Sequence, residues 1–220
     1  MIATPCLPLP RRLAGRHPRP HAPCLIIGVT TATLHACENR RMGPIIDSAP
    51  ITLRPAHGEL RTSLEQLAQL YRHDMSEFLG HLPAADGRFA FSNLPLFFDE
   101  PGREALLIQY GTAPAGFILT RPTLEGETSI SAFFVVRALR RRGVGQQAAL
   151  HLLCSRPGAW AIAFQEANAG AARFWRGIAT AAVGSAWHEE TRPVPPPAPA
   201  NLPHDHWIFL STGTQGLADA

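Results

Sequence analysis

Lysine is absent from this chain, and all 20 of its basic residues are arginine. We interpret this as a coding preference for GC-rich codons in a bacterium rather than as a functional choice. No apolar run approaches the roughly 20 residues that a membrane-spanning helix needs. The four cysteines show no C-x-x-C spacing, which argues against a zinc site and against a disulfide framework. These absences predict a cytoplasmic protein with no membrane partner and no bound metal.

Charge is unevenly divided along the chain. Residues 1–41 contain six arginines and one acidic residue, whereas the remainder contains 14 arginines and 16 acidic residues. The body of the protein is therefore mildly acidic. A nucleic-acid-binding surface needs a clustered basic face, so nucleic acid is not an expected partner.

Composition divides the chain into three parts. Residues 1–48 are rich in Pro, Arg and Ala and lack sustained periodicity, which predicts a disordered extension or one upstream of a true start at Met42. The apolar stretch Cys24–Cys37 leaves a signal segment as the alternative. Residues 49–212 have the patterning of one globular domain, and residues 213–220 are expected to form a flexible tail.

Periodicity within the domain predicts a mixed α/β sheet. Strand-like alternation begins at Ile51, and Thr62-Ser63-Leu64-Glu65 resembles a capping box that starts a helix. A separate short helix is predicted around Asp74–Leu79, and Gly111-Thr112 is predicted to turn a hairpin. The predicted order is β-α-(α)-β-β-β-α-β-α-β-β. Further predicted elements are strands at 128–136, 160–164, 187–191 and 206–210 and helices at 143–154 and 169–178.

The loop Arg140–Gly145 has the composition of a phosphate cradle. An apolar strand ends before it, and a helix opens at its glycines. The first N–H groups of a helix have no intrahelical partner, and the helix dipole favours an anion there. Gly143 and Gly145 allow close approach of a pyrophosphate, and the three arginines add positive charge. The spacing matches neither a Walker loop nor the dinucleotide G-x-G-x-x-G pattern.

Two motifs together resemble the GNAT N-acetyltransferase superfamily. The strand, R-x-x-G-x-G turn and helix resemble its first motif, and Asn168 to Trp175 resembles its N-x-x-A-x-x-[FL]-[YFW] motif. The segment Ile51–Ala56 resembles its first strand, and a bacterial branch of predicted acetyltransferases is the most similar group. The resemblance implies a mostly antiparallel sheet of about seven strands, flanked by helices and splayed between strands 4 and 5.

The resemblance also assigns a site for acetyl-CoA as cosubstrate. The pantetheine arm would lie in the splay and bond to backbone groups near Phe134, Val135 and Val136. Asn168 would bond the pantetheine or the adenine side, and Phe174 and Trp175 would wall the thioester channel. Backbone N–H groups of the loop would hold the pyrophosphate. The remaining residues of the expected cofactor site are Arg140, Arg141, Arg142, Gly143, Val144, Gly145 and Gln146.

Catalytic groups are harder to place. An alkylammonium must lose a proton before it attacks, and the N–H of Val135 or Val136 is an expected donor to the developing oxyanion. The family often carries a Glu where this sequence has Ser131 and Ala132, and Trp175 replaces the usual proton-donating Tyr. Candidate catalytic residues are Glu127 and Ser131, which share a strand face by two-residue alternation, and Glu77. Glu166 is a further candidate base, and Tyr71, Asp74 and Glu77 are expected to shape the acceptor pocket.

Two functions follow from these residues. The first is an N-acetyltransferase that passes an acetyl group to a small-molecule or protein amine by direct attack in a ternary complex. The second is an acyl-CoA-binding module without turnover, acting as a sensor or partner domain. A homodimer is an expected assembly in either case. His204 and His206 would share a strand face, but no third ligand lies near them in the sequence, so no metal site is predicted.

Overall fold

The computed structural model describes residues 49–193 and 204–213. The extension 1–48, most of the Pro-rich link 193–203 and the tail after residue 213 lie outside the described residues. Within the described part, none of the helices is long and apolar enough to cross a membrane.

Seven strands and four α-helices make up the described domain. The helices are α1 (Glu59–Leu79), α2 (Leu96–Asp99), α3 (Val144–Ser155) and α4 (Ala169–Val183), with a 3-10 turn at Arg137–Leu139. The strands are β1 (Ile51–Pro55), β2 (Glu104–Tyr110), β3 (Ala113–Pro122), β4 (Thr128–Val135), β5 (Gly158–Phe164), β6 (Trp187–Arg192) and β7 (Asp205–Thr212).

The strands form one sheet in the order β1-β2-β3-β4-β5-β7-β6. Every neighbouring pair is antiparallel except β4 and β5, which run parallel. Helices α3 and α4 pack on one face of the sheet, and α1 and α2 pack on the other, so two hydrophobic cores lie on opposite sides. The predicted fold class, the order of the strands along the chain and the hairpin at Gly111-Thr112 are confirmed.

The prediction of two helices between residues 62 and 79 was wrong, because one helix, α1, covers the whole segment. It begins at Glu59 after Gly58, and the residue before the helix supplies no side-chain cap. Thr62 therefore lies inside the first turns and is not a capping residue. No Gly or Pro interrupts the segment until Gly80, whose left-handed φ of 65° ends the helix. A short helix that the sequence did not predict, α2, follows at Leu96.

Strands β4 and β5 separate soon after they meet. Their paired residues run only from Thr128↔Trp160 to Ile130↔Ile162, although β4 continues to Val135 and β5 to Phe164. At the same level, Leu119 of β3 pairs with Ala132 and Thr120 pairs with Ile130, which leaves Ser131 as an extra residue in β4. Such a bulge bends a strand and increases its twist, which accounts for the divergence from β5. The predicted splay is confirmed.

The cysteine spacing did not indicate a disulfide bond, but the structure has one. Cys154, near the end of α3, is disulfide-bonded. The other three cysteines of the chain lie outside the described residues.

Candidate functional site

The loop between β4 and α3 leaves a row of backbone amides uncovered. Arg141 has a left-handed φ of 60° and Gly143 a φ of 80°, and no side chain caps the helix at Gly143. The backbone bonding of α3 starts with Gln147, whose N–H donates to the carbonyl of Gly143 at 2.9 Å. The amides of the first turn, at residues 144–146, therefore have no intrahelical acceptor. Alternation of extended and left-handed residues with a helix start produces a concave group of N–H donors that suits an anion.

The side chain of Arg140 is committed to protein partners. Its Nε donates to the carbonyl of Val135 at 2.8 Å, and its guanidinium lies 5.4 Å from the ring centre of Phe134. A further Arg140 N–H donates to the carboxylate of Asp74 on α1. Only Arg141 and Arg142 of the predicted arginine trio extend from the loop as exposed side chains without such anchors among the described contacts.

Asp74, which is predicted to shape the acceptor pocket, binds two arginines. Arg137 donates to it through Nε at 3.1 Å and through an Nη at 2.7 Å, in addition to the bond from Arg140. Burial of the carboxyl group opposes its ionisation, but the hydrogen bonds from the two arginines outweigh this and lower the pKa of Asp74. Sequence reasoning missed Arg137, because the contact joins residues 63 positions apart.

Backbone groups of β4 face the gap beside β5. The N–H of Val136 donates to the carbonyl of Ala115 of β3 at 2.9 Å, which leaves Val135 of the two expected oxyanion donors. Because successive residues of an antiparallel strand alternate in the direction of their N–H and C=O groups, those of Phe133 and Val135 point away from β3. The N–H of Val135 is therefore directed towards the gap.

Three aromatic rings line the α3 and α4 side of the gap. The ring centre of Phe133 lies 5.4 Å from that of Phe174 and 5.2 Å from that of Trp175, and the last two are 4.8 Å apart. A β-carbon on Gly145 would contact Phe133 and Phe174 at 3.5–3.6 Å, so the loop packs directly on this wall. Alternation along β4 places Phe133 here, although its role was not predicted. Trp175 is 5% exposed and offers only an indole N–H, which cannot act as a practical acid.

Asn168 caps helix α4. Its side-chain oxygen accepts a hydrogen bond from the N–H of Ala171 at 3.0 Å. The carboxamide NH2 group takes no part in capping and can donate hydrogen bonds to a ligand.

Of the residues predicted to shape the acceptor pocket, Tyr71 lies on α1 against the sheet. Its ring contacts Phe134 of β4 at 6.2 Å and Phe117 of β3 at 5.6 Å between ring centres. Burial raises the pKa of Tyr71, so the hydroxyl stays protonated at neutral pH. Glu77 is exposed one turn further along the helix than Asp74. The hydrogen bond to Asp74 is the main cause of the raised pKa of Arg137, and the charge of Glu77 adds a smaller contribution.

The candidate bases are dispersed. Glu127 precedes β4, and its carboxylate accepts a hydrogen bond from the hydroxyl of Thr123, which lowers the pKa of Glu127. Ser131 is the exposed bulge residue in the middle of β4. Among the described contacts, none joins Glu127, Ser131 and Glu77 to one another.

Glu166 belongs to an ion-pair network on the α4 face of the sheet. Arg176 of α4 donates to Glu166 at 2.8 Å and to Glu189 of β6 at 2.7 Å, and His206 of β7 lies 2.7 Å from Glu189. The bonds from Arg176 lower the pKa of Glu166 and bring that of Glu189 to about 2. Ligand atoms of Glu166, Glu189 and His206 lie within 4.8 Å of one another, but the Arg176 guanidinium already supplies the positive charge there. The sequence indicated neither Arg176 nor Glu189.

The architecture is that of an acyltransferase, in which a split sheet meets a helix start with uncovered amides. The sequence profile described as "Acetyltransferase (GNAT) family" matches residues 64–178. The chain therefore belongs to the acetyltransferase (GNAT) family. A search of curated proteins gave no match.

Solved structures share the fold at low sequence identity. An acetyltransferase from Thermus thermophilus superposes with a TM-score of 0.56 at 15% identity, covering 76% of this chain and 99% of its own. The ribosomal-protein-S18-alanine N-acetyltransferase from Escherichia coli gives a TM-score of 0.50 at 16% identity, covering 78% and 99%. Spermidine N-acetyltransferase from Vibrio cholerae, solved with CoA and spermine, gives 0.51 at 9% identity, covering 74% and 95%.

Proposed function

We propose that this protein transfers an acetyl group from acetyl-CoA to a primary amine, by direct attack within a ternary complex. One observation carries the proposal: β4 and β5 part after Ile130↔Ile162, and the gap leads to the uncovered amides at the start of α3. A diphosphate fits those amides, and an extended amide-containing arm fits beside an unpaired strand edge.

The residues of the site fit coenzyme A. The backbone amides from Arg141 to Gly145 would hold the pyrophosphate, with Arg141 and Arg142 supplying charge. Outward backbone groups of Phe133 would bond the pantetheine arm in the manner of a neighbouring strand, whereas the carbonyl of Val135 is already held by Arg140. Phe174 would border the arm. When bound, the thioester of acetyl-CoA supplies the activated acetyl group.

The chain's own groups support attack in a particular way. The N–H of Val135 is directed into the gap and is the proposed donor to the developing oxyanion. Glu127 and Glu166 each have a lowered pKa, and a lowered pKa makes a carboxylate a weaker base. We therefore propose that the amine loses its proton to solvent, with Glu127 acting only through water. Trp175 supplies no acid, so the sulfur would leave as a thiolate and take its proton from water.

The acceptor is proposed to be an amine that approaches from the α1 side of the sheet. The rings of Phe133, Phe174 and Trp175 close the other side. The hydroxyl of Tyr71 and the exposed carboxylate of Glu77 lie on α1, where they would meet a cationic acceptor. The E. coli neighbour is an alanine N-acetyltransferase of a ribosomal protein and the V. cholerae neighbour a spermidine N-acetyltransferase, so protein and polyamine acceptors both belong in the test.

A second candidate function is acyl-CoA binding without turnover. The specific observation that favours it is Trp175, a buried indole where the family motif has its proton-donating tyrosine. A sensor or partner module would need only the loop and the gap.

One experiment separates these functions. Binding of CoA and acetyl-CoA is measured by calorimetry, and turnover is followed by release of the CoA thiol with polyamines, amino acids, aminoglycosides and alanine-initiated peptides. We expect saturable binding and turnover with at least one amine class. Binding with no turnover on any acceptor would assign the binding module instead, and no binding of either ligand would overturn both functions.

A further inference from the structure

Arg140, the first residue of the candidate CoA loop, binds a side chain that lies outside the loop. Asp74 sits on α1, 63 and 66 positions before Arg137 and Arg140, and it accepts hydrogen bonds from both. Its side chain is 18% exposed, whereas that of Arg137 is 68% exposed. A largely covered carboxylate with two guanidinium partners fixes their positions more firmly than an ion pair in open solvent does.

Arg140 connects Asp74 to the backbone that forms the site. Its Nε holds the carbonyl of Val135, the last residue of β4, at 2.8 Å. The guanidinium also covers the ring of Phe134 at 5.4 Å. One side chain therefore connects Asp74 to the end of the strand that borders the gap.

The next residue needs such an anchor. Arg141 has a φ of 60°, a left-handed conformation that a residue with a β-carbon adopts only at a cost in free energy. Backbone of this kind persists only where surrounding contacts fix it. Arg140 directly precedes it, in an extended conformation with φ −68° and ψ 151°. The change from extended to left-handed backbone at this step turns the loop amides outward.

We propose that Asp74 is a positioning residue for the CoA loop, acting through Arg140 to hold the amides of residues 141–145 in their anion-binding arrangement. Asp74 touches neither the amides nor the gap in this role. Removing its charge leaves Arg137 and Arg140 near one another without their shared partner, and their repulsion would release the loop. This inference rests on the proposed function, because it concerns affinity for CoA.

Helix α1 would therefore connect the proposed acceptor site with the CoA loop. Asp74 is one turn from Tyr71 and Glu77 on α1, the helix proposed to face the acceptor. The same helix therefore carries candidate acceptor contacts and the anchor of the CoA loop.

The test compares Asp74→Asn with wild type in CoA calorimetry, steady-state kinetics and thermal unfolding. We expect the Kd for CoA and the KM for acetyl-CoA to rise about tenfold, the equivalent of one charge-assisted hydrogen bond, with kcat at saturation changed by less than about twofold. Asp74→Glu should recover part of the affinity, because it keeps the charge. Arg140→Gln should weaken CoA binding similarly, and the double variant should be no weaker than the weaker single one, because both act through one contact.

Glu65→Gln is the matched control. Glu65 lies on the same helix and pairs with Arg61 at 3.0 Å, away from the loop, so its variant should bind CoA as wild type does. Unchanged CoA affinity in both Asp74→Asn and Arg140→Gln, beside a wild type that binds, would overturn this inference alone. A wild type that fails to bind CoA would overturn the proposed function and this inference with it. If Asp74→Asn does not fold, Arg140→Gln decides by the same measurement.

Discussion

The carbonyl oxygen of Phe134 lies where Gly116 leaves room for it, because a β-carbon built on Gly116 would come within 2.0 Å of that oxygen. Gly116 is in β3, and Phe134 is the last but one residue of β4, the strand that leads to the candidate site. The close approach of these two strands fixes the position of the end of β4, and therefore the position at which the loop begins. A small side chain at position 116 would push the strands apart at this level.

Gly116→Ala should therefore destabilise the fold by about 3 kcal/mol, because backbone atoms of β4 cannot move aside as a side chain can. Urea denaturation measures the loss. Gly177→Ala in α4 is the matched control, since no atom lies within 4 Å of a β-carbon there. That control should stabilise by about 0.5–1 kcal/mol, the usual gain from Gly to Ala inside a helix. Equal effects of the two variants would contradict the strand contact.

Gly143→Glu should lose CoA binding, because the new carboxylate lies beside the amides proposed to hold the diphosphate. Its φ of 80° also penalises any side chain. Gly143→Ala shares that penalty of about 1–2 kcal/mol without adding charge. Calorimetry should give a Kd at least about tenfold higher for the Glu variant than for the Ala variant. Similar affinities would show that the loop does not bind phosphate.

Asn168→Ala should destabilise α4 by about 1 kcal/mol, because the bond to the N–H of Ala171 is lost. Asn168→Ser restores a capping oxygen without the carboxamide NH2 group. We expect thermal unfolding of the Ser variant to approach that of wild type, with CoA affinity still lowered by about 1–2 kcal/mol. Wild-type affinity in the Ser variant would restrict Asn168 to its capping role.

Glu189 should make a contribution to the free energy of unfolding that depends on pH. Its pKa is lowered to about 2, chiefly by the hydrogen bond from Arg176, whereas the ordinary value is 4.5. A lowered folded-state pKa means that the contribution is present above pH 4.5 and disappears as the pH falls towards 2. Glu189→Gln should cost about 1–3 kcal/mol at pH 7, and less at each step below pH 4.5.

Melting temperatures of wild type and Glu189→Gln, recorded from pH 7 downward, measure this difference. Glu125→Gln, at an exposed position in the turn before β4, should melt close to wild type at pH 7. A difference for Glu189→Gln that stays constant below pH 4.5 would rule out the ion pair as its source.

The strand, loop and helix around Gly143 were predictable from sequence because each depends on local chemistry. A left-handed backbone conformation favours glycine, so Gly143 indicated a turn. The helical spacing of apolar residues after it predicted α3. The hairpin at Gly111 is equally local, with Tyr110 paired to Ala113 across two turn residues. The splay of β4 from β5 came from resemblance to a family and not from any pattern within the strands.

What sequence reasoning missed depends on residues that are distant along the chain. The position of Asp74 in the sequence favoured a role in binding a cationic acceptor. Nothing near it in the sequence indicates that it forms ion pairs with Arg137 and Arg140. The same holds for Glu166, whose partner Arg176 also holds Glu189. The single helix α1 was missed because the capping pattern at Thr62 competed with an uninterrupted helical segment that has no Gly or Pro before Gly80.

The short seam between β4 and β5 has a mechanical consequence. Three residue pairs, Thr128↔Trp160 to Ile130↔Ile162, are the backbone pairing that joins strands β1–β4 to strands β5–β7. Beyond these three pairs, the two halves of the sheet are held together by side-chain packing, such as that between α3 and α4. A ligand bound between β4 and β5 would connect both halves of the sheet, so the melting temperature should rise with the logarithm of the ligand concentration once that exceeds the Kd.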